Sequence, residues 1–225
     1  MIYIIFIVFA LFSWIAQMVL KSKFKKYGKV AMPGGLTGKE VAEKMLRDNG
    51  INDVVVQHVA GQLTDHYNPA TKIVNLSDGV YLSNSISAAA VAAHECGHAV
   101  QHANAYIFLT FRSKMVPAVS FASRWMQWVL LAGIIFFQSF PQLMLFGIIL
   151  FALTTLFSFI TLPVEINASK RAVSWLSNAG ITNNTTYPMA TDALRWAAYT
   201  YVIAALGSLA TLVYYILMFL GGRRD

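Results

Sequence analysis

Four stretches of this chain are apolar over about the thickness of a bilayer, and that limits its folds more than any other feature. Crossing a hydrocarbon core of ~30 Å takes about 20 helical residues at about 1.5 Å of rise each. Ile2 to Leu20 holds no charged side chain. Val116 to Phe137 is apolar apart from Arg124, so its lipid-facing part starts near Trp125. Leu143 to Leu162 and Trp196 to Leu220 are uncharged throughout. The last of them carries Tyr199, Tyr201, Tyr214 and Tyr215, which suit a membrane interface. A chain of 225 residues cannot surround four such helices with its own protein, so the lipid bilayer is the partner they bury against.

Composition and charge narrow the class further. Only 12% of the residues are charged and 57% are hydrophobic, against about a quarter charged in an ordinary soluble domain. That excludes a disordered chain as well. A single cysteine, Cys96, excludes a disulfide framework and a cysteine-only metal cluster. The net charge is +7, but Lys21, Lys23, Lys25, Lys26 and Lys29 crowd directly behind the first apolar stretch. Attraction to anionic headgroups explains this placing better than a nucleic-acid face, so no nucleic-acid partner is expected.

The same lysines orient the chain. Basic residues mark the cytoplasmic side, so the N-terminus is expected outside and residues 21–115 inside. A secretory signal carries its basic residues ahead of the apolar run, so the first stretch reads as an uncleaved anchor. The predicted organisation is an anchor (1–20), a cytoplasmic segment (21–115), a transmembrane hairpin (116–162), a cytoplasmic helix (163–195) and a final span with its tail (196–225). The hairpin's outer turn, Gln138 to Gln142, contains Pro141, and the returning helix carries Lys170, Arg171 and Arg195. On this count the basic tail Arg223-Arg224 falls outside, against the charge rule.

The cytoplasmic segment reads as a small α+β unit. Thr37 and Glu40 have the spacing of a capping box, Val41, Met45 and Leu46 share one helical face, and Asn49-Gly50 ends that helix. Val54 to Val59 and Ile73 to Leu76 are β-rich runs around a turn at Asn68-Pro69. The Ile73 strand is expected to offer an edge to an extended substrate. An alanine-rich helix then opens at Ser83 to Ser87 and carries His94-Glu95-Cys96-Gly97-His98.

That motif carries the chemistry. Histidines four apart point from one helical face and can bind one metal, and Glu95 lies about 100° around the axis, within reach of a water at that metal. Such a site acidifies water and the glutamate takes the proton. Three chance polar residues would be out of place in so apolar a helix. Catalytic zinc takes a third protein ligand, and between His98 and Asp192 Glu165 alone is acidic. It sits in Leu162-Pro163-Val164-Glu165, where Pro163 is expected to start a helix that ends at Asn178-Ala179-Gly180. The hairpin returns this helix to the side of the His94 helix. A first-turn glutamate serving the helix dipole is the alternative. His102, His66, Tyr67 and Arg171 are candidates to contact substrate or the developing oxyanion. Cys96 points off the ligand face and is expected to be packed.

The sequences Thr64-Asp65-His66-Tyr67, His94-Glu95-Cys96-Gly97-His98 and Val164-Glu165-Ile166-Asn167-Ala168-Ser169, followed by Arg171-Ala172, resemble the YugP-type membrane zinc metallopeptidases over most of residues 1–220. The layout is also similar to HtpX-like quality-control proteases and to the CAAX prenyl protease. The resemblance implies one Zn²⁺ per chain on His94, His98 and Glu165, with Glu95 as the base. Where the HtpX pattern places an aspartate four residues after the third ligand, this chain has Ser169, so Ser169 and Asn167, with Asp65, are the candidates to hold a ligand histidine in its tautomer.

The expected fold is mainly α: a polytopic membrane protein of about four transmembrane helices with a small α+β, zincin-like cytoplasmic metallopeptidase domain. The expected function is a membrane-bound zinc endopeptidase acting on membrane or membrane-associated polypeptides. An intramembrane site-2-type protease would bury the histidine motif in a span, but Ser83 to Ala105 is too polar for one. A non-catalytic zinc-binding membrane adaptor has no use for Glu95.

Overall fold

The computed structural model describes residues 2–222, so the tail Arg223 to Asp225 lies outside the described residues. In chain order the elements are α1 (Ile2–Tyr27), α2 (Gly38–Asp48), β1 (Val55–His58), β2 (His66–Asn68), β3 (Ile73–Leu76), α3 (Asp78–Tyr81), α4 (Ile86–Ala103), α5 (Ile107–Ile135), α6 (Pro141–Asn178) and α7 (Tyr187–Gly221). The molecule is mainly helical, with one small mixed sheet. Among the described residues four helices are long and apolar enough to cross a membrane: α1, α5, α6 and α7. The histidine-bearing α4 is not one of them.

These four helices run beyond the apolar stretches. Pro163 was expected to start a helix and instead lies inside the 38-residue α6. A proline removes one backbone donor and crowds the preceding turn, a local loss that packing along a long helix outweighs. Glu165 is therefore mid-helix, far from any N-terminal dipole, and the dipole reading of this residue falls. The expected stop does occur. Gly180 adopts φ +67, and the Ile181 N–H donates to the Leu176 carbonyl at 3.0 Å, a left-handed helix ending that favours glycine.

The chain forms two compact units. One comprises Thr110–Leu162 with the N-terminal part of α1 and the C-terminal part of α7. Here small residues let helices approach closely: a Cβ on Gly133 would lie 2.6 Å from the Met144 Cα, and one on Gly147 would lie 2.8 Å from Leu130. Leu130, Met144, Ile148 and Phe219 form the core of this unit, while Trp128, Phe121 and Leu217 stay exposed on its outside, as lipid-facing residues do.

The other unit comprises Ala16–Leu109 and Pro163–Tyr199. Its α2 begins with the expected capping box, Thr37 Oγ1 accepting from the Glu40 N–H and Glu40 accepting from the Thr37 N–H at 2.7 Å. Val41, Met45 and Leu46 on its inner face are buried. Helix α4, capped by Ser85, is the centre of the unit, and Ala88, Ala89, Ala90, Ala92 and Ala93 are buried all round it. Small side chains let neighbours pack against every face of that helix.

The sheet order is β1-β3-β2, with β1 parallel and β2 antiparallel to β3. The Ile73–Leu76 strand is thus central and has neither edge free. The edge strands are β1 and β2, which corrects the expectation that Ile73–Leu76 receives a substrate. The register pairs Tyr67 with Val74 and His66 with Asn75. Because side chains alternate between faces, Val74 and Tyr67 turn to the core while His66 and Asn75 turn to the other face.

Candidate metal centre

Two helices bring three donor atoms together. His94 and His98 lie one turn apart on α4, and their rings meet edge to face at 4.8 Å between centroids. Glu165 reaches them from α6, its Oε2 standing 3.3 Å from His94 Nε2 and 3.6 Å from His98 Nε2. All three donors lie within 4.8 Å of one another. Zinc bonds of about 2.0–2.1 Å in a tetrahedron separate neighbouring ligands by roughly 3.4 Å. The observed spacings and the two-nitrogen, one-oxygen donor set therefore fit a zinc ion.

Gly97 permits this approach. A Cβ at that position would meet the backbone carbonyl oxygen of Ala168 at 2.7 Å, so only a glycine lets α6 come this close to α4. Ala168 is one turn beyond Glu165, so the same contact sets how far the carboxylate reaches.

Each imidazole is held by its other nitrogen. His94 Nδ1 faces Ser169 Oγ at 3.1 Å, and His98 Nδ1 faces Gln101 Oε1 at 3.0 Å. Gln101 is fully buried and donates to the Val164 carbonyl at 2.8 Å and to Asn167 Oδ1 at 3.0 Å. Since that carbonyl can only accept, the amide's nitrogen must face it. The amide oxygen is left to take the His98 Nδ1–H, and His98 Nε2 is free for a metal. Asn167 Oδ1 also accepts from Arg171 Nε at 2.7 Å. A chain of hydrogen bonds thus runs from His98 through Gln101 and Asn167 to Arg171.

Charge reinforces the cluster. Burial opposes ionisation of Glu165, but hydrogen bonds and charge from His94 and His98 outweigh it and hold the carboxyl far below its usual range. Burial also works against a charged His98, yet Glu165, Glu95 and Gln101 together push its pKa upward. In Cys96, buried beside the site, desolvation and the nearby Glu95 push the thiol far up, and its Sγ lies against the Ala42 carbonyl. It is a packed, unreactive thiol.

Glu95 is 9% exposed, and one of its oxygens accepts the Tyr67 N–H at 3.0 Å. The side chain of Tyr67 continues along α4 and places its hydroxyl oxygen 2.8 Å from His102 Nδ1. Burial pushes the Tyr67 phenol upward, so it stays protonated at neutral pH. The structure therefore gathers His94, Glu95, His98, Glu165, Ser169, Asn167, Tyr67 and His102 about the junction of α4, α6 and β2. It does not bring in His66, which turns to the opposite face of the sheet and bonds the Thr64 carbonyl and Asn75. Arg171 stands one residue removed, against Asn167. Asp65 holds the Ser77 N–H and hydroxyl instead of a histidine. Gln101 escaped the sequence reading. Its signal was a polar residue three positions after His98 in an otherwise apolar helix.

The comparisons with known proteins agree with this geometry. The family described as "Putative neutral zinc metallopeptidase" matches residues 2–220. A protein of Bacillus subtilis (strain 168), named "Putative membrane protease YugP", is 44% identical over 213 residues, which cover 95% of this chain and 94% of that one. No solved structure matches. With a match along almost its whole length, the chain belongs to this family of neutral zinc metallopeptidases.

Proposed function

We propose that the chain is a membrane-anchored zinc endopeptidase that cleaves membrane or membrane-associated polypeptides at the cytoplasmic face. In this reading His94, His98 and Glu165 hold one zinc ion and Glu95 is the general base. The observation that carries it is the convergence of His94 Nε2, His98 Nε2 and Glu165 Oε2, with Glu95 on the same helix turned toward β2. A zinc ion held there supplies a Lewis acid and acidifies water at neutral pH. Glu95, fixed through one oxygen by the Tyr67 N–H, keeps its other oxygen to take a proton and then deliver it to the leaving amine. Ser169 and Gln101 hold the two histidines in the tautomer that presents Nε2. The Tyr67–His102 pair is favoured over His66 and Arg171 as a donor toward substrate, because it flanks Glu95. The cytoplasmic placing rests on the five lysines behind the first span.

The test compares wild type with His94→Ala, Glu165→Ala and Glu95→Gln, purified in detergent after one metal-exchange step. The two ligand variants are expected to lose zinc. Glu95→Gln is expected to keep zinc and to lose about 100-fold to 10,000-fold in peptide hydrolysis. Full zinc in Glu165→Ala would remove Glu165 from the ligand set. Undiminished cleavage by Glu95→Gln would end its assignment as the base.

A further inference from the structure

Beside the last turns of α1 lies a cavity of about 640 Å³, within the ~300–1,000 Å³ typical of ligand pockets. None of the proposed zinc ligands lines it. Helix α1 contributes Lys21 and Lys25, four residues apart and so on one helical face. Ser83, Ser85 and Ser87 also line the cavity. Ser83 donates to Ser85 Oγ at 2.9 Å and Ser85 Oγ lies 3.3 Å from Ser87 Oγ, so the chain of hydroxyls leaves the Ser87 hydrogen to be donated. Phe24, Val80 and Val91 give the cavity an apolar side.

The charges in this cavity are unbalanced. Lys23, Lys39, Lys44 and Lys72 each pair with a carboxylate, whereas among the described residues neither Lys21 nor Lys25 has such a partner. Asp65 is the acidic residue on the lining, and its two oxygens are taken by the Ser77 N–H at 2.7 Å and the Ser77 hydroxyl at 2.8 Å. Two lysines and a serine hydroxyl lining one cavity can form a seat for an anion.

Depth identifies which anion. Lys21 directly follows the apolar run of α1, and Lys21 to Lys25 covers roughly 6 Å of helix. The headgroup layer on each side of a bilayer is about 5–7 Å thick. The lysines therefore stand at phosphate level. Leu63, which also lines the cavity, is 58% exposed and held at φ +58, an uncommon conformation for a leucine, and it offers an apolar contact at that level. We propose that this cavity seats the phosphate of an anionic phospholipid headgroup, clamped by Lys21 and Lys25 with Ser87 as a donor. The proposal does not depend on the reading of the metal centre.

The test titrates the full chain in neutral detergent with phosphatidylglycerol, phosphatidylcholine or inorganic phosphate, reading bound lipid by native mass spectrometry. Each lysine beside an anionic group contributes about fivefold. Lys21→Gln/Lys25→Gln is therefore expected to weaken phosphatidylglycerol binding about 25-fold, and the control Lys26→Gln/Lys29→Gln, with the same charge loss, less than about threefold. Gly79 also lines the cavity, and a Cβ there meets nothing within 4 Å. Gly79→Phe should therefore project a ring into the space and weaken binding, with an unchanged melting temperature in lipid-free detergent. Equal losses in the two lysine pairs, or full binding by Gly79→Phe, would overturn the site. Phosphatidylcholine binding as tightly would overturn the anionic headgroup, and inorganic phosphate competing at the lipid's own concentration would overturn the lipid.

Discussion

At the scale of one residue, Gly97 governs the candidate metal centre without offering it a donor atom. A methyl group there would sit 2.7 Å from the Ala168 oxygen and 3.2 Å from its carbonyl carbon. Both are backbone atoms, so no side chain can swing aside and the two helices must part. Two effects oppose each other in Gly97→Ala. Helix propensity favours alanine by about 1 kcal/mol, while overpacking a tight contact costs about 1–3 kcal/mol, so the net expected result is destabilisation. Moving α6 also withdraws Glu165 from His94 and His98, and disturbances just outside a metal's own ligands typically weaken binding about 10-fold to 100-fold. Zinc affinity measured against a competing chelator, alongside chemical unfolding, checks both. An alanine variant that is more stable and binds zinc as tightly as wild type would show that the helices have slack here.

At the scale of elements, Gln101 ties α4 to α6. Its buried amide accepts from His98 and donates to Val164 and Asn167, so all its strong bonds serve the alignment of the two helices. Gln101→Met keeps the length and removes the amide. The His98 ring then loses the acceptor that fixes its tautomer, and zinc affinity is expected to fall about 10-fold to 100-fold. The Val164 carbonyl keeps its helical partner, so unfolding of the metal-free protein should shift by only about 1 kcal/mol. Unchanged affinity would mean that the tautomer is set elsewhere. The same residue shows what a sequence can and cannot reveal. His94 and His98 were legible because a four-residue spacing on a helix is local information, and so were the Thr37 cap and the alanine-packed core of α4. Glu165 was legible through the scarcity of carboxylates. The partners of Gln101 lie 63 and 66 positions away, and no local pattern announces them. Strand order is nonlocal in the same way, which is why the central place of Ile73–Leu76 was missed. Pro163 misled because a local stop signal is weak against packing along a long helix.

At the scale of the molecule, a carboxylate helps to fasten the last helix to the first. Asp192 on α7 accepts the Tyr27 hydroxyl at 2.6 Å and pairs with Lys23 at 2.7 Å, both on α1, closing a separation of 165 residues between Tyr27 and Asp192. Burial raises the Asp192 pKa, but the bonds from Lys23 and Tyr27 outweigh it, so the folded value lies below the ordinary one. A carboxyl depressed on folding stabilises the protein above its unfolded pKa of about 3.9, and that stabilisation is lost as pH falls through the folded value. Lys23, raised chiefly by Asp192, has the opposite sign: its share is present below the unfolded value of about 10.4 and fades as pH rises through the folded one. The clamp is therefore complete between about pH 5 and pH 9. Asp192→Asn keeps an acceptor for Tyr27 but removes the charge, and should cost about 1 kcal/mol on that plateau, the scale of a partly exposed ion pair. Thermal unfolding in detergent across pH checks the sign. Wild type and variant should differ by a constant amount from pH 5 to 9, with the gap narrowing below about pH 4 and closing as pH falls through the folded value. A gap that did not narrow at all between pH 5 and pH 3 would mean that the charge on Asp192 contributes nothing to the contact, and that the variant differs through the Tyr27 hydrogen bond alone.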